Sequence, residues 1–188
     1  AGVGYGVRVA QIMASQAEKI GASAILALPP YYANACFDGV LGYLKGISQA
    51  TSLPLILYTR DWLQFSPEEA ERLADEIPSL RGWKDGQGSL GSLQRIRARL
   101  GDRFTWIGGV GDDHVSGYYG IGFRRFTSSI SCVAPKLSIA LHEAAMARED
   151  AELAELTAGL SLHALMQLLK GVRHGRAKLE QDEVVAKV

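Results

Sequence analysis

Leu55-Ile56-Leu57-Tyr58, Ser66-Pro67-Glu68-Glu69 and Leu80-Arg81-Gly82-Trp83-Lys84 follow one another in a single stretch of the chain. An apolar β-rich run, a helix start and a second apolar run are the parts of a βαβ unit. Ser66 is placed to cap a helix, Pro67 brings a preset φ to the first helical position, and Glu69 stands three residues after the cap. That spacing predicts a helix over Pro67–Glu76. Working outward, the alternation recurs. Runs at Ala24–Leu28, Phe104–Ile107 and Phe123–Thr127 read as further strands, with a strand remnant at Ala1–Val3. Segments with apolar residues in 3.6 phase at Val7–Ile20, Phe37–Ala50, Leu90–Leu100 and His114–Gly120 read as helices.

After Pro135 no β-rich run follows, and Leu141, Leu153, Leu156, Leu160, Leu165 and Leu169 recur at helical spacing. The expected organisation is an α/β region over residues 1–135 and a helical region over residues 136–188, whose last part, Lys170–Val188, reads as a solvated terminus. Strand-to-strand spacing of roughly 20 to 30 residues fits a doubly wound sheet or a (β/α) barrel. A complete eight-unit barrel takes about 250 residues, so if this chain of 188 is a barrel its first units are missing. Its opening, Ala1-Gly2-Val3-Gly4-Tyr5-Gly6, has neither Met nor the charged and apolar regions of a signal peptide, and reads as the interior of a longer chain.

With 20 basic and 20 acidic side chains, the protein has no net field to hold a phosphate backbone, which argues against nucleic acid as a partner. The longest apolar stretch, roughly Ala22 to Pro30, is about half of a bilayer span, which argues against a membrane. Cys36 and Cys132 match no metal or redox spacing, so a reducing cytoplasm is the expected setting. His114, His142, His163 and His174 lack the i, i+4 spacing of helix-borne ligands, and no metal site is assigned. Gly2-x-Gly4-x-Gly6 and Gly108-Gly109-x-Gly111 do not complete a dinucleotide fingerprint; tight turns explain them better.

In either α/β architecture the chemistry sits where strands end. Those positions read Pro29-Pro30-Tyr31-Tyr32, Tyr58-Thr59-Arg60-Asp61, Lys84-Asp85-Gly86, Gly108-Gly109 and Ser128-Ser129. An ammonium at Lys84, flanked by Trp83 and neighbouring strands, would be disfavoured, which leaves an amine nucleophile suited to Schiff-base chemistry. The alternative is a loop lysine that reaches water. Tyr58 could relay protons to a carbinolamine, or simply pack in a barrel with its hydroxyl satisfied.

Ala1-Gly2-Val3-Gly4-Tyr5-Gly6, Leu28-Pro29-Pro30-Tyr31, Leu57-Tyr58-Thr59-Arg60-Asp61, Gly82-Trp83-Lys84-Asp85-Gly86-Gln87-Gly88 and Thr127-Ser128-Ser129, in this order and spacing, resemble the dihydrodipicolinate synthase/N-acetylneuraminate lyase superfamily. The likeness covers about residues 1–145. Within the superfamily the motifs look most like those of the 5-dehydro-4-deoxyglucarate dehydratases: Lys84-Asp85-Gly86 resembles theirs, and the segment after Tyr58 lacks the proline and the later arginine of the synthases' Tyr-Asn-x-Pro-x-Arg.

The resemblance implies a TIM (β/α)8 barrel with C-terminal helices, here lacking its first two to three βα units and their carboxylate-binding loop. It implies a homo-oligomer, tetramer or dimer, and Schiff-base chemistry without metal or organic cofactor. Lys84 matches the imine-forming lysine and Tyr58 the proton-shuttling tyrosine. Ser128 and Ser129 match paired serines lining the substrate site, Gly109 falls where a backbone N–H faces substrate, and Thr59, in the same strand-end motif as Tyr58, is a further candidate for binding substrate. Arg60 is a candidate for a distal substrate carboxylate, or else an ion-pair partner of Asp61. The implied reaction is dehydration and decarboxylation of a keto sugar diacid to 2,5-dioxopentanoate. The alternatives are a pyruvate-dependent aldolase or synthase and a catalytically inactive fragment or interaction module.

Overall fold

The computed structural model describes residues 1–30, 34–132, 134–158 and 160. The expectations for Tyr31, Tyr32, Leu165, Leu169, His163, His174 and Lys170–Val188 lie outside the described residues. The chain divides into two compact units, Ala1–Ile107 and Gly108–Val188.

The first unit is built from the alternation read in the sequence. Strands β1 (Gly2–Tyr5), β2 (Ile25–Pro30), β3 (Leu55–Arg60), β4 (Leu80–Gly86) and β5 (Thr105–Gly108) lie side by side in chain order, and β1 to β4 are paired in parallel. Helices α1 (Val7–Lys19), α2 (Phe37–Ser48), α3 (Pro67–Glu76) and α4 (Leu90–Leu100) connect them. Neighbouring strands joined by helices, without a reversal of order, are the connectivity of part of a (β/α)8 barrel; a doubly wound sheet would reverse at a switch point. The strand remnant at the start is a full strand, with Gly2 paired to Leu26 and Val3 to Ala27.

One face of the sheet forms the core. Val3, Ile25, Ala27, Leu55, Leu57, Trp83 and Trp106 are buried there, as are Ala10 and Ala14 of α1, Leu44 and Ile47 of α2, Leu73 of α3 and Ile96 of α4. Burying each large aliphatic side chain contributes about 1.5–3 kcal/mol. Trp83 is the centre of an aromatic cluster, 5.6 Å from the ring of Phe65 and 6.0 Å from those of Phe104 and Trp106. The capping box at Ser66 forms as expected: the Glu69 N–H donates to Ser66 Oγ at 3.1 Å, and the Ser66 N–H donates to Glu69 Oε2 at 2.8 Å. Across α3 and α4, Arg99 pairs with Glu68 and Glu71; these exposed pairs add little individually.

The second unit holds α5 (Val115–Gly120), α6 (Pro135–Ala147) and α7 (Asp150–Ala158). Gly108 opens it, and its lack of a Cβ is required, because a Cβ would stand 2.4 Å from the ring of Tyr118. Tyr118 stacks on Phe123 at 5.3 Å, and the Tyr119 hydroxyl lies 2.6 Å from His142 Nδ1. Ile130, Ala134 and Leu137 form a small core with Leu156 and Leu160 against it.

The expected strand over Phe123–Thr127 does not form; a single parallel bridge, Gly108 to Phe126, stands in its place. The segment is spent otherwise at its start. Gly122 takes a φ of +94° and the Phe123 N–H closes back on the Tyr118 carbonyl at 2.9 Å, which ends α5. The Arg125 carbonyl and the Thr127 N–H bracket Gly108, at 2.9 and 2.8 Å.

Candidate functional site

Strand pleating and register decide which side chains meet. In the β3–β4 pair, Ile56 lies opposite Gly82, Tyr58 opposite Lys84 and Arg60 opposite Gly86. Side chains alternate along a strand, so Tyr58, Arg60 and Lys84 share one face while Thr59, Trp83 and Asp85 belong to the other, buried face. The Lys84 Nζ lies 4.3 Å from the centroid of the Tyr58 ring, and the Arg60 Cζ lies 5.6 Å from that same centroid.

On its own strand Lys84 is flanked on that face by two residues without side chains, Gly82 and Gly86. Their vacancies are filled from β3. A Cβ on Gly82 would meet Ile56 Cγ1 at 2.9 Å, and one on Gly86 would meet Tyr58 Cε2 at 2.8 Å and the Thr59 carbonyl at 2.9 Å. The Tyr58 ring therefore lies against the amine because Gly86 lets it.

The amine is half-buried, and its proton affinity falls below that of an ordinary lysine. Lost hydration is the first cause and the positive charge of Arg60 the second. The cation–π contact with Tyr58 acts in the opposite sense, since it favours the ammonium.

Behind Lys84 the turn is held by a buried carboxylate. Asp85, 1% exposed, accepts from the Gly88 N–H at 2.8 Å, the Gln87 N–H at 3.1 Å and the Thr59 hydroxyl at 3.3 Å. Thr59 Oγ1 is equally close to the Lys84 carbonyl. Thr59, expected at the substrate, is thus 3% exposed with its hydroxyl turned into the β3–β4 backbone. Gln87 adds a tie from its amide to the carbonyls of Asp61 and Leu63, at 2.7 and 3.2 Å.

The other expected site residues lie in the second unit. Gly109 follows β5 and is half-buried. Ser128 Oγ accepts from the Ser131 N–H at 2.8 Å and so caps the 3₁₀ turn Ile130–Cys132. Ser129 is tied to Asp112, a carboxylate only 3% exposed. Asp112 Oδ2 accepts from the N–H groups of Ser129 at 3.1 Å and Ile130 at 3.3 Å, and from the Ser129 hydroxyl at 3.4 Å. Its Oδ1 is buried without a hydrogen-bond partner among the described residues.

The sequence places Asp85 and Gly86 in the strand-end motif without giving either a role, and does not point to Asp112. An Asp after a strand-end Lys and before Gly-x-Gly is a turn signal for the first two; nothing local marks Asp112 as buried. Among the described residues no group of three or more His, Cys, Asp or Glu side chains could hold a metal ion. No helix among them is long and apolar enough to cross a membrane.

A parallel β/α sheet with a half-buried lysine at a strand end, facing a tyrosine on the next strand, defines the class: a (β/α)-barrel protein with an amine at the site. Comparison with known proteins narrows this. The profile of the dihydrodipicolinate synthetase family matches residues 1–175, and the chain belongs to that family. A probable 5-dehydro-4-deoxyglucarate dehydratase of Allorhizobium ampelinum is 38% identical over 152 residues, 80% of this chain and 50% of that protein. One of Pseudomonas savastanoi pv. phaseolicola is 35% identical over 154 residues, 81% of this chain and 50% of that protein. The chain spans about half the length of these curated relatives.

Among solved structures, dihydrodipicolinate synthase from Aquifex aeolicus matches with a TM-score of 0.79 at 24% identity, over 90% of this chain and 58% of that one. N-acetylneuraminate lyase from Mycoplasma synoviae gives a TM-score of 0.78 at 24% identity, over 88% and 56%. These likenesses establish the barrel fold.

Proposed function

We propose that the protein is a Schiff-base-forming lyase that dehydrates and decarboxylates 5-dehydro-4-deoxyglucarate. The observation that carries this is the Lys84 amine, half-buried, with lowered proton affinity and facing Tyr58 at 4.3 Å. The names of the relatives at 35 and 38% identity supply the substrate.

In this reading neutral Lys84 attacks the substrate ketone and Tyr58 moves protons through the carbinolamine, which loses water to give an iminium. The iminium acidifies the adjacent methylene. Its deprotonation gives an enamine, and the enamine expels the neighbouring hydroxyl as a second water. Loss of carbon dioxide and hydrolysis of the imine then release 2,5-dioxopentanoate and the free amine. The protein's own amine is the electron sink, so the reaction calls for no metal or organic cofactor.

Ser128, Ser129 and the Gly109 N–H bind the substrate, and Arg60 takes its distal carboxylate as a bidentate partner. Thr59 serves the site from behind the strand. Residues 1–135 carry the barrel units and residues 136–188 the C-terminal region, in a cytoplasmic homo-oligomer.

The test is borohydride trapping of the folded 188-residue chain with 5-dehydro-4-deoxyglucarate and, separately, with pyruvate, followed by peptide mapping. A substrate-sized mass increment on the Lys84 peptide, lost in Lys84→Ala, is the expected result. Trapping undiminished in Lys84→Ala sinks the Schiff-base assignment, and a preference for pyruvate replaces the dehydratase with an aldolase or synthase.

A further inference from the structure

The Tyr58 ring has cations on both β3 and β4. Arg60 stands one pleat beyond Tyr58 toward the strand end, opposite the side-chain-free Gly86, and so shares the face of Lys84. Its Nε donates to Asp61 Oδ2 at 3.0 Å, and the two side chains are 48 and 67% exposed. Asp61 holds a φ of +55°, a left-handed conformation that Asp adopts more readily than most residues, and it carries the chain off β3. The pair is therefore fixed to the end of the strand that carries Tyr58.

We propose that Arg60 and Asp61 form a charge couple that sets how much of the Lys84 amine is available as a nucleophile. Arg60 disfavours a second positive charge on the shared face, and Asp61 partly neutralises Arg60. This deepens the assignment of Lys84 as nucleophile and rests on it.

The surroundings leave this couple with few competitors among the described residues of the first unit. On β4 the same-face neighbours of Lys84, Gly82 and Gly86, carry no charge. On β3 the groups are Tyr58 and Arg60, and β5 offers Thr105 and Ile107, because Trp106 packs on Trp83 at the opposite face. Asp85 is directed to that opposite face, where its carboxylate is engaged by Thr59, Gln87 and Gly88. The direction in which Arg60 moves the amine agrees with this arrangement.

The experiment reads the amine without substrate: competitive acetylation of Lys84 against pH in the folded 188-residue chain, quantified by peptide mass spectrometry. Arg60→Gln is expected to raise the midpoint of Lys84 labelling by about 0.5 pH unit, and Asp61→Asn to lower it by a comparable step. Arg60→Lys keeps the charge and leaves the midpoint in place. About 0.5 M salt shrinks both shifts, as screening requires for exposed charges. Midpoints that stay at the wild-type value in both Arg60→Gln and Asp61→Asn, or that move in the same direction, overturn the couple. Borohydride trapping on the same samples separates the two claims. Trapping with unshifted midpoints overturns the couple alone, whereas shifted midpoints without trapping support the couple and count against the Schiff-base assignment.

Discussion

Gly86 and Tyr58 meet across the β3–β4 pair so closely that a Cβ on the glycine would lie 2.8 Å from Cε2 of the ring. The same Cβ would stand 2.9 Å from the Thr59 carbonyl, which is backbone and has little freedom to retreat. Gly86→Ala is expected to cost about 1–3 kcal/mol, the usual range for an overpacked position. It also displaces the phenol from the amine. Urea denaturation gives the first effect, and a reduced rate of trapping at Lys84 gives the second; unchanged stability and trapping refute this account of the glycine.

In the proposed reaction the phenol is a proton-transfer group as well as a surface. Tyr58→Phe keeps the ring that lies 4.3 Å from Nζ and removes only the hydroxyl. Imine formation is expected to slow at least about a hundredfold, the scale of a lost acid/base group. A rate within a few-fold of wild type would assign Tyr58 to packing.

Lys84 also makes stability depend on pH. Its folded-state proton affinity lies below the 10.5 of an unperturbed lysine, so the unfolded chain binds more protons between the two values. The destabilisation is complete below the folded-state value and disappears as pH rises toward about 10.5. Relative to Lys84→Met, the wild-type chain is expected to gain stability as pH is raised across that window. Parallel urea midpoints for the two proteins would contradict this.

In the second unit Asp112 holds the loop that carries Ser129. Asp112→Ala leaves the N–H groups of Ser129 and Ile130 without their acceptor, at a cost of about 1–3 kcal/mol for the buried group. Amide hydrogen exchange at Ser129–Ser131 is expected to accelerate well beyond that of α6. Unchanged protection at those amides would rule out the role.

The contrast between Ser66 and Phe123–Thr127 shows which features were legible in sequence. A capping box is closed within four residues, so its hydrogen bonds follow from the local order Ser66-Pro67-Glu68-Glu69. A strand needs a partner ladder, and the β-rich composition of Phe123–Thr127 could not reveal that Gly122 and Phe123 are spent ending α5. At the site, Lys84 and Tyr58 were legible because both end apolar runs. That they face each other depends on register, which becomes definite only when Ile56 fills the space over Gly82. Asp85 and Asp112 escaped because sequence gives no measure of a carboxylate's burial, and an Asp beside glycines reads first as a surface turn. The motif points Thr59 toward the substrate, yet the alternation that puts Tyr58 and Arg60 on one face puts Thr59 on the other.

The aromatic cluster behind β4 gives the protein an optical signature. Trp83 is joined by one peptide bond to Lys84, and its indole lies 6.0 Å from that of Trp106 at an interplanar angle of 38°. Two indoles that close and obliquely inclined couple their electronic transitions, so the assembled sheet should show an exciton contribution to ultraviolet circular dichroism that a collapsed but unpaired chain lacks. A change in the backbone of β4 when Lys84 becomes covalently engaged would alter that coupling, making chemistry on one face of the strand visible as light absorbed on the other.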